Sequence, residues 1–124
     1  MSKLLDRLKQ IGNVRKYKPD NVPQEILDQI IEAGLCAVTG MGYQNTIIIQ
    51  VTDKKTRDEI SKLNCRIGGW KDGFDPFYGA PAMLIVLAKN DWENRVYDGS
   101  LMMSNIMLAA HELGLGSCWI YRAK

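Results

Sequence analysis

Histidine is nearly missing from this chain: of 124 residues, only His111 is one. Catalytic triads with a histidine base and multi-histidine metal sites therefore rest on that side chain or do not occur. Cysteine is scarce too. Cys36, Cys65 and Cys118 are odd in number and form no C-x-x-C pair, which argues against a disulfide framework or a structural zinc site. Neither sign of charge dominates. Sixteen Lys and Arg stand against 14 Asp and Glu, a formal net charge of +2, too little to direct the chain to nucleic acid or to an anionic membrane. The cations are interleaved with acids, as in Asp53-Lys54-Lys55-Thr56-Arg57-Asp58-Glu59, a pattern that reads as a solvated helix face rather than a phosphate-binding stripe. No apolar run has the length of a signal peptide core or a membrane span, and there is no internal repeat or low-complexity tract. The expectation is a cytoplasmic protein in a reducing compartment, with no nucleic-acid or membrane partner.

What is present is an ordinary globular composition, 46% apolar and 24% charged, sufficient for one core and one domain over residues 1–124. Leu4, Leu5, Leu8 and Ile11 recur at helical spacing and predict a short first helix ending near Gly12-Asn13. Pro23 suits the first turn of a second helix, in which Ile26, Leu27, Ile30, Ile31 and Leu35 share one stripe. Thr46 to Thr52 is a β-branched run with the length of a buried strand, and Asp53 can cap a following helix that carries Ile60, Leu63 and Ile67. Residues 68–81 hold four glycines, two prolines and the aromatics Trp70, Phe74, Phe77 and Tyr78; a loop this long in a small domain is often functional. Met83 to Ala88 predicts a second strand and Ser117 to Tyr121 a third. Between them, from about Asp98 to a stop at Gly114, runs a helix apolar nearly all round, which a domain this small can bury only with a partner subunit. The order α-α-β-α-β-α-β predicts a central sheet covered by helices on both faces.

Individual motifs are less telling than their combination. Gly114-Leu115-Gly116 closes a helix instead of opening one, so it reads as a C-cap and tight turn, not a phosphate loop. Cys118 has apolar neighbours and reads as a buried structural thiol. His111, near a helix end, reads as a packed or capping residue. Asn13-Val14-Arg15-Lys16-Tyr17-Lys18 is either a solvated basic connection or a set of donors suited to phosphate or a carbonyl-rich heterocycle, and spacing does not decide between them.

Four segments taken together are more specific. They are Val14 to Pro23, Ala37-Val38-Thr39-Gly40-Met41-Gly42-Tyr43-Gln44-Asn45, Pro76-Phe77-Tyr78-Gly79-Ala80-Pro81, and Asn105 to Trp119. In order and spacing the chain resembles the nitroreductase family of FMN-dependent oxidoreductases. The resemblance implies an α+β homodimer, three layers α/β/α with a mixed central sheet, and FMN at the subunit interface contacted from both chains. It implies that NADH or NADPH delivers hydride to flavin N5 and that a small-molecule electron acceptor, such as a nitroaromatic or quinone, then takes the electrons. The flavin is the reactive group, so no catalytic side chain and no metal is implied, in keeping with the lack of histidine and cysteine chemistry.

Carried over by position, Arg15 matches the cation near flavin N1 and O2, and Asn13 falls at the family's serine beside the phosphate and ribityl chain. Thr39 and Gly40 match the phosphate loop, Gln44 the glutamine after it, and Asn64 an asparagine at the flavin edge. Trp119, Ile120, Tyr121 and Arg122 match the segment along the other face of the ring and N5. The chain departs from the pattern at Ile11, where the family has a phosphate-gripping arginine, and at Val38, Gly42 and Asn45-Thr46. It also ends at Lys124, before the family's last helix, strand and C-terminal arm. A second function is therefore carried beside the oxidoreductase: a shortened member acting as a weak flavin binder or carrier, or as a non-catalytic dimeric interaction protein.

Overall fold

Pro23 opens the second helix of the chain: its carbonyl accepts from the Leu27 amide and its fixed φ of −56° leads into the first turn. The computed structural model describes residues 2–120. Helices α1 (Lys3–Gln10) and α2 (Gln24–Leu35) come first, then strand β1 (Thr46–Val51), helix α3 (Lys54–Gly68), strand β2 (Met83–Ala88) and helix α4 (Arg95–Glu112), with a 3-10 turn over Gly40–Gly42. The class is α+β, as the sequence predicts. Helix α4 starts three residues before the expected Asp98, and α1 stops at Gln10, two residues early.

The core lies where α2 crosses α4. Ile30 from α2 meets Met102, Ile106 and Ala110 of α4, with Ile48, Leu84 and Val86 of the sheet packed against them. The buried positions of α4 (Asp98, Met102, Ile106, Ala110) fall every fourth residue, a single ridge. That ridge comes close to α2 because residue 34 is glycine: a Cβ there would lie 2.8 Å from Ile106 Cγ1 and 3.0 Å from Ile48 Cδ1. The Asn105 amide donates to the Ala33 carbonyl across the same crossing at 3.0 Å. Val96, Tyr97 and Leu101 lie on the exposed side of α4 in this single chain.

Strands β1 and β2 pair antiparallel, Thr46 opposite Ala88 and Val51 opposite Met83. Side chains alternate across the sheet, so Ile48, Leu84 and Val86 face the helices while Ile47, Ile49 and Leu87 face out and are exposed. One expectation is corrected here. The predicted third strand over Ser117 to Tyr121 is reduced to one parallel bridge, Ser117 with Asn13; its last residue, Tyr121, lies outside the described residues.

Helix α3 corrects a second. Asp53 caps it as expected, accepting from the Thr56 amide at 3.0 Å and the Thr56 hydroxyl at 2.8 Å. Its buried residues, however, are Arg57, Ser61 and Cys65, while Leu63 and Ile67 point to solvent, Ile67 78% exposed. Hydrogen bonds from Arg57 and Ser61 to Asp75 decide which side of the helix turns inward. Both α3 and α4 end in the same way, with a left-handed glycine. Gly69 and Gly114 bond to carbonyls three residues back (Arg66 and His111), and the next amides, of Trp70 and Leu115, reach Cys65 and Ala110.

Candidate functional site

The turn after α4 lays two distant segments side by side. The Val14 amide donates to the Ser117 carbonyl at 2.8 Å, and the Trp119 amide donates to Asn13 Oδ1 at 3.2 Å. Glycine at 116 permits this approach: a Cβ there would press on Val14 at 3.0 Å. The glycine pair thus has two duties, reversal at Gly114 (φ 82°) and close passage at Gly116.

Asn13, Arg15, Trp119 and Ile120 consequently sit on neighbouring strands of backbone. Asn13 uses its carbonyl oxygen internally, which leaves its amide NH2 to donate outward. Arg15 is exposed and has no ion pair among the described residues. Tyr17 is half-buried behind it, its hydroxyl donating to the Val14 carbonyl. Burial pushes the Tyr17 phenol up to about 12, with Cys118 and Tyr78 adding to the rise and Arg15 opposing it. Tyr17 is therefore a neutral donor throughout the physiological range. Cys118 is half-buried rather than buried, and His111 pairs with Gln10 at 3.3 Å.

Thr39, Gly40 and Gln44 form a second cluster, in the loop after α2. Met41, Gly42 and Gln44 all have left-handed backbone, at φ 55°, 70° and 52°. The Gln44 amide donates to Thr39 Oγ1 at 3.1 Å. The Gly40 amide donates to Asp98 Oδ1 at 2.8 Å, so it is committed inside the protein and is not an open donor. The other oxygen of Asp98 accepts from Trp92 Nε1 at 2.7 Å, and the Trp92 ring meets Tyr43 edge-on at 5.2 Å. Asp98 is 2% exposed. Sequence reasoning missed its role; the only signal was an acid in an otherwise apolar helix.

The aromatic loop is held by a third cluster. Arg57, 7% exposed, is the exception in what reads as a solvated charge run. It pairs with Asp75, donates to the Ala80 carbonyl at 2.8 Å and lies 5.9 Å from the Phe77 ring centre. Asp75 also accepts from the Ser61 hydroxyl and the Phe77 and Gly79 amides. Burial pushes the Asp75 carboxyl up, but those bonds, Arg57 foremost, together hold it below its ordinary value. Trp70 meets Phe74 at a tilt at 5.6 Å, Phe74 meets Tyr78 edge-on at 6.5 Å, and Tyr78 ends the row near Tyr17.

The structure thus joins Asn13 and Trp119 directly and groups Thr39, Gly40 and Gln44 in one loop. It does not join the two groups: no hydrogen bond links them among the described residues. Asn64 donates to the Ile60 carbonyl of its own helix at 3.3 Å and reaches neither. Tyr121 and Arg122 lie outside the described residues. No helix among the described residues is long and apolar enough to cross a membrane.

The sequence pattern of the nitroreductase family matches residues 13–66 and 70–121. A candidate NADH dehydrogenase/NAD(P)H nitroreductase of Methanothermobacter thermautotrophicus is 30% identical over 120 residues, 94% of this chain. The chain spans 59% of that relative's length. Among solved structures, a nitroreductase with bound FMN from Bacteroides fragilis superposes with a TM-score of 0.92 at 26% identity, over 98% of this chain and 71% of its own. An FMN-dependent nitroreductase from Clostridium difficile superposes with a TM-score of 0.79 at 37% identity, over 93% of this chain and 64% of its own.

Proposed function

The chain belongs to the nitroreductase family, and from that premise we propose that it is an oxidoreductase that binds FMN and draws electrons from NADH or NADPH. The observation that carries the reading is the pairing of Val14 with Ser117 and of Asn13 with Trp119. It lines up an outward amide, an arginine with no ion pair among the described residues and the 119–120 backbone along one surface. This donor set suits a flavin, whose N1–O2 edge and phosphate are acceptors and whose ring needs main-chain partners. When bound, FMN supplies hydride acceptance from the nicotinamide and electron transfer to a small-molecule acceptor such as a nitroaromatic or quinone.

The chain's own residues supply placement and charge. Arg15 fixes a positive charge at the pyrimidine edge of the flavin, which favours the reduced cofactor. Asn13 donates toward the ribityl phosphate, and Thr39, through its hydroxyl, and Gln44, through its side-chain amide, serve as donors from the second cluster. In this reading FMN lies between two copies of the chain, one contributing Asn13, Arg15, Trp119 and Ile120, the other the 39–44 loop. The exposed Val96, Tyr97 and Leu101 of α4 offer apolar surface to such a second copy.

Anaerobic addition of NADH or NADPH to the FMN-loaded protein tests this function. The expected result is loss of the flavin's visible absorbance and its return when a quinone or nitroaromatic is added. Absorbance unchanged by both nicotinamides contradicts the enzyme and favours a flavin carrier.

A further inference from the structure

Asp98 is the most buried polar residue among those described. Its two oxygens are divided. One holds the Gly40 amide at 2.8 Å, the other the Trp92 indole N–H at 2.7 Å. The chain on either side is fitted to that arrangement. Glycine at residue 40 lets the backbone pass close to Asn94, since a Cβ there would lie 2.6 Å from Asn94 Nδ2 and displace that side chain, and Tyr43 closes on the Trp92 ring from the far end of the loop. The 39–44 loop has left-handed backbone at three residues, Met41, Gly42 and Gln44, two of them non-glycine residues that disfavour it. A segment of that kind keeps one shape only where its surroundings impose it. Thr39 Oγ1 and the Gln44 amide supply one bond across the loop; Asp98 supplies the anchor to the body of the protein.

We propose that Asp98, with Trp92, is the positioning residue of the cofactor: it sets the 39–44 loop in the shape that receives FMN, without touching FMN itself. The inference rests on the flavin reading above. It assigns Gly40 an internal role, as the point of attachment, and leaves Thr39 and Gln44 as the groups that face the cofactor.

The chemistry of the pair allows a test by rescue. In Asp98→Asn the amide has one acceptor oxygen for two donors, Gly40 N–H and Trp92 Nε1–H, so its NH2 group confronts one of them. Adding Trp92→Phe removes the competing indole donor, keeps an aromatic edge against Tyr43, and frees the single oxygen for Gly40. FMN affinity is read by quenching of flavin fluorescence on titration with the full-length apo-protein, alongside thermal unfolding and amide hydrogen exchange at Gly40 in the same apo-proteins.

Asp98→Asn is expected to weaken FMN binding about ten- to hundredfold, the range expected when one charge-assisted hydrogen bond is lost. It should also speed exchange at Gly40, and Asp98→Asn/Trp92→Phe should recover most of both losses. Unchanged FMN affinity in Asp98→Asn overturns the proposal, as does an equal weakening in the single and double variants that follows their melting temperatures. If the wild-type protein binds no FMN, the flavin reading fails and this proposal falls with it. That outcome is visible in the unmutated protein and so is distinct from failure of the Asp98 clamp alone.

Discussion

Arg57 carries a buried charge and Tyr17 a half-buried neutral phenol, and each contributes to the fold in that state. Replacing Arg57 by alanine leaves Asp75 without its cation and frees the Ala80 carbonyl. Loss of one partner from a fully buried pair costs about 3–5 kcal/mol. Because the Asp75 side chain is 30% exposed, about 2–3 kcal/mol is expected here, measured as a lower denaturant midpoint with an unchanged slope. The Asp75 carboxyl is held below its ordinary value, so its contribution is complete above the unfolded aspartate range and is lost as pH falls through the lower, folded value. Acid unfolding of wild type should show this step and Arg57→Ala should lack it. Tyr17 behaves in the opposite sense. Its phenol is raised from 10.0 to about 12, so the neutral form is the one the fold favours. That stability is complete below pH 10 and declines between 10 and about 12 as the unfolded chain ionises first. Tyr17→Phe should flatten this alkaline decline, at a cost of about 1 kcal/mol near neutral pH for the lost bond to Val14. An alkaline limb identical in both proteins would contradict the burial of that hydroxyl.

At the scale of elements, the α2–α4 crossing is the contact least able to give. Gly34→Val forces a branched side chain against Ile106 and Ile48, and overpacking of this kind costs about 1–3 kcal/mol. Urea unfolding of the variant checks it; a stability equal to wild type would mean the helices separate more easily than this packing allows. The elements also show what the sequence could convey. The stripe of α2, the Asp53 cap and the Gly114 stop were legible because each depends on residues within one or two turns. The inward face of α3 was not, since Arg57 and Ser61 are drawn in by Asp75, 18 and 14 residues further along. Periodicity places Ile60, Leu63 and Ile67 on one side but contains nothing about a carboxylate in a later loop. The third strand failed for a related reason: Ser117 pairs with Asn13, 104 positions earlier, and the pairing extends for a single bridge.

For the molecule as a whole, the family was legible because its segments are spread in order along the chain, and the site was legible in halves. Asn13 and Trp119 were each singled out from the sequence and meet in one hydrogen bond, whereas Asp98 and Arg57, which hold the 39–44 and 69–81 loops, carry no local signature and emerge only when distant segments meet. Among the described residues no hydrogen bond links the halves, and apolar side chains are exposed on α4 and on the outer face of the sheet. A flavin bridging two copies accounts for both features, and Arg15→Ala should then weaken FMN binding about tenfold or more in either copy. The central claim is that this chain binds FMN in that shared position, and titration of the purified protein with FMN, read by quenching of flavin fluorescence, tests it most directly. Saturation at one FMN per chain is the predicted result. Fluorescence that falls only in proportion to dilution would contradict it.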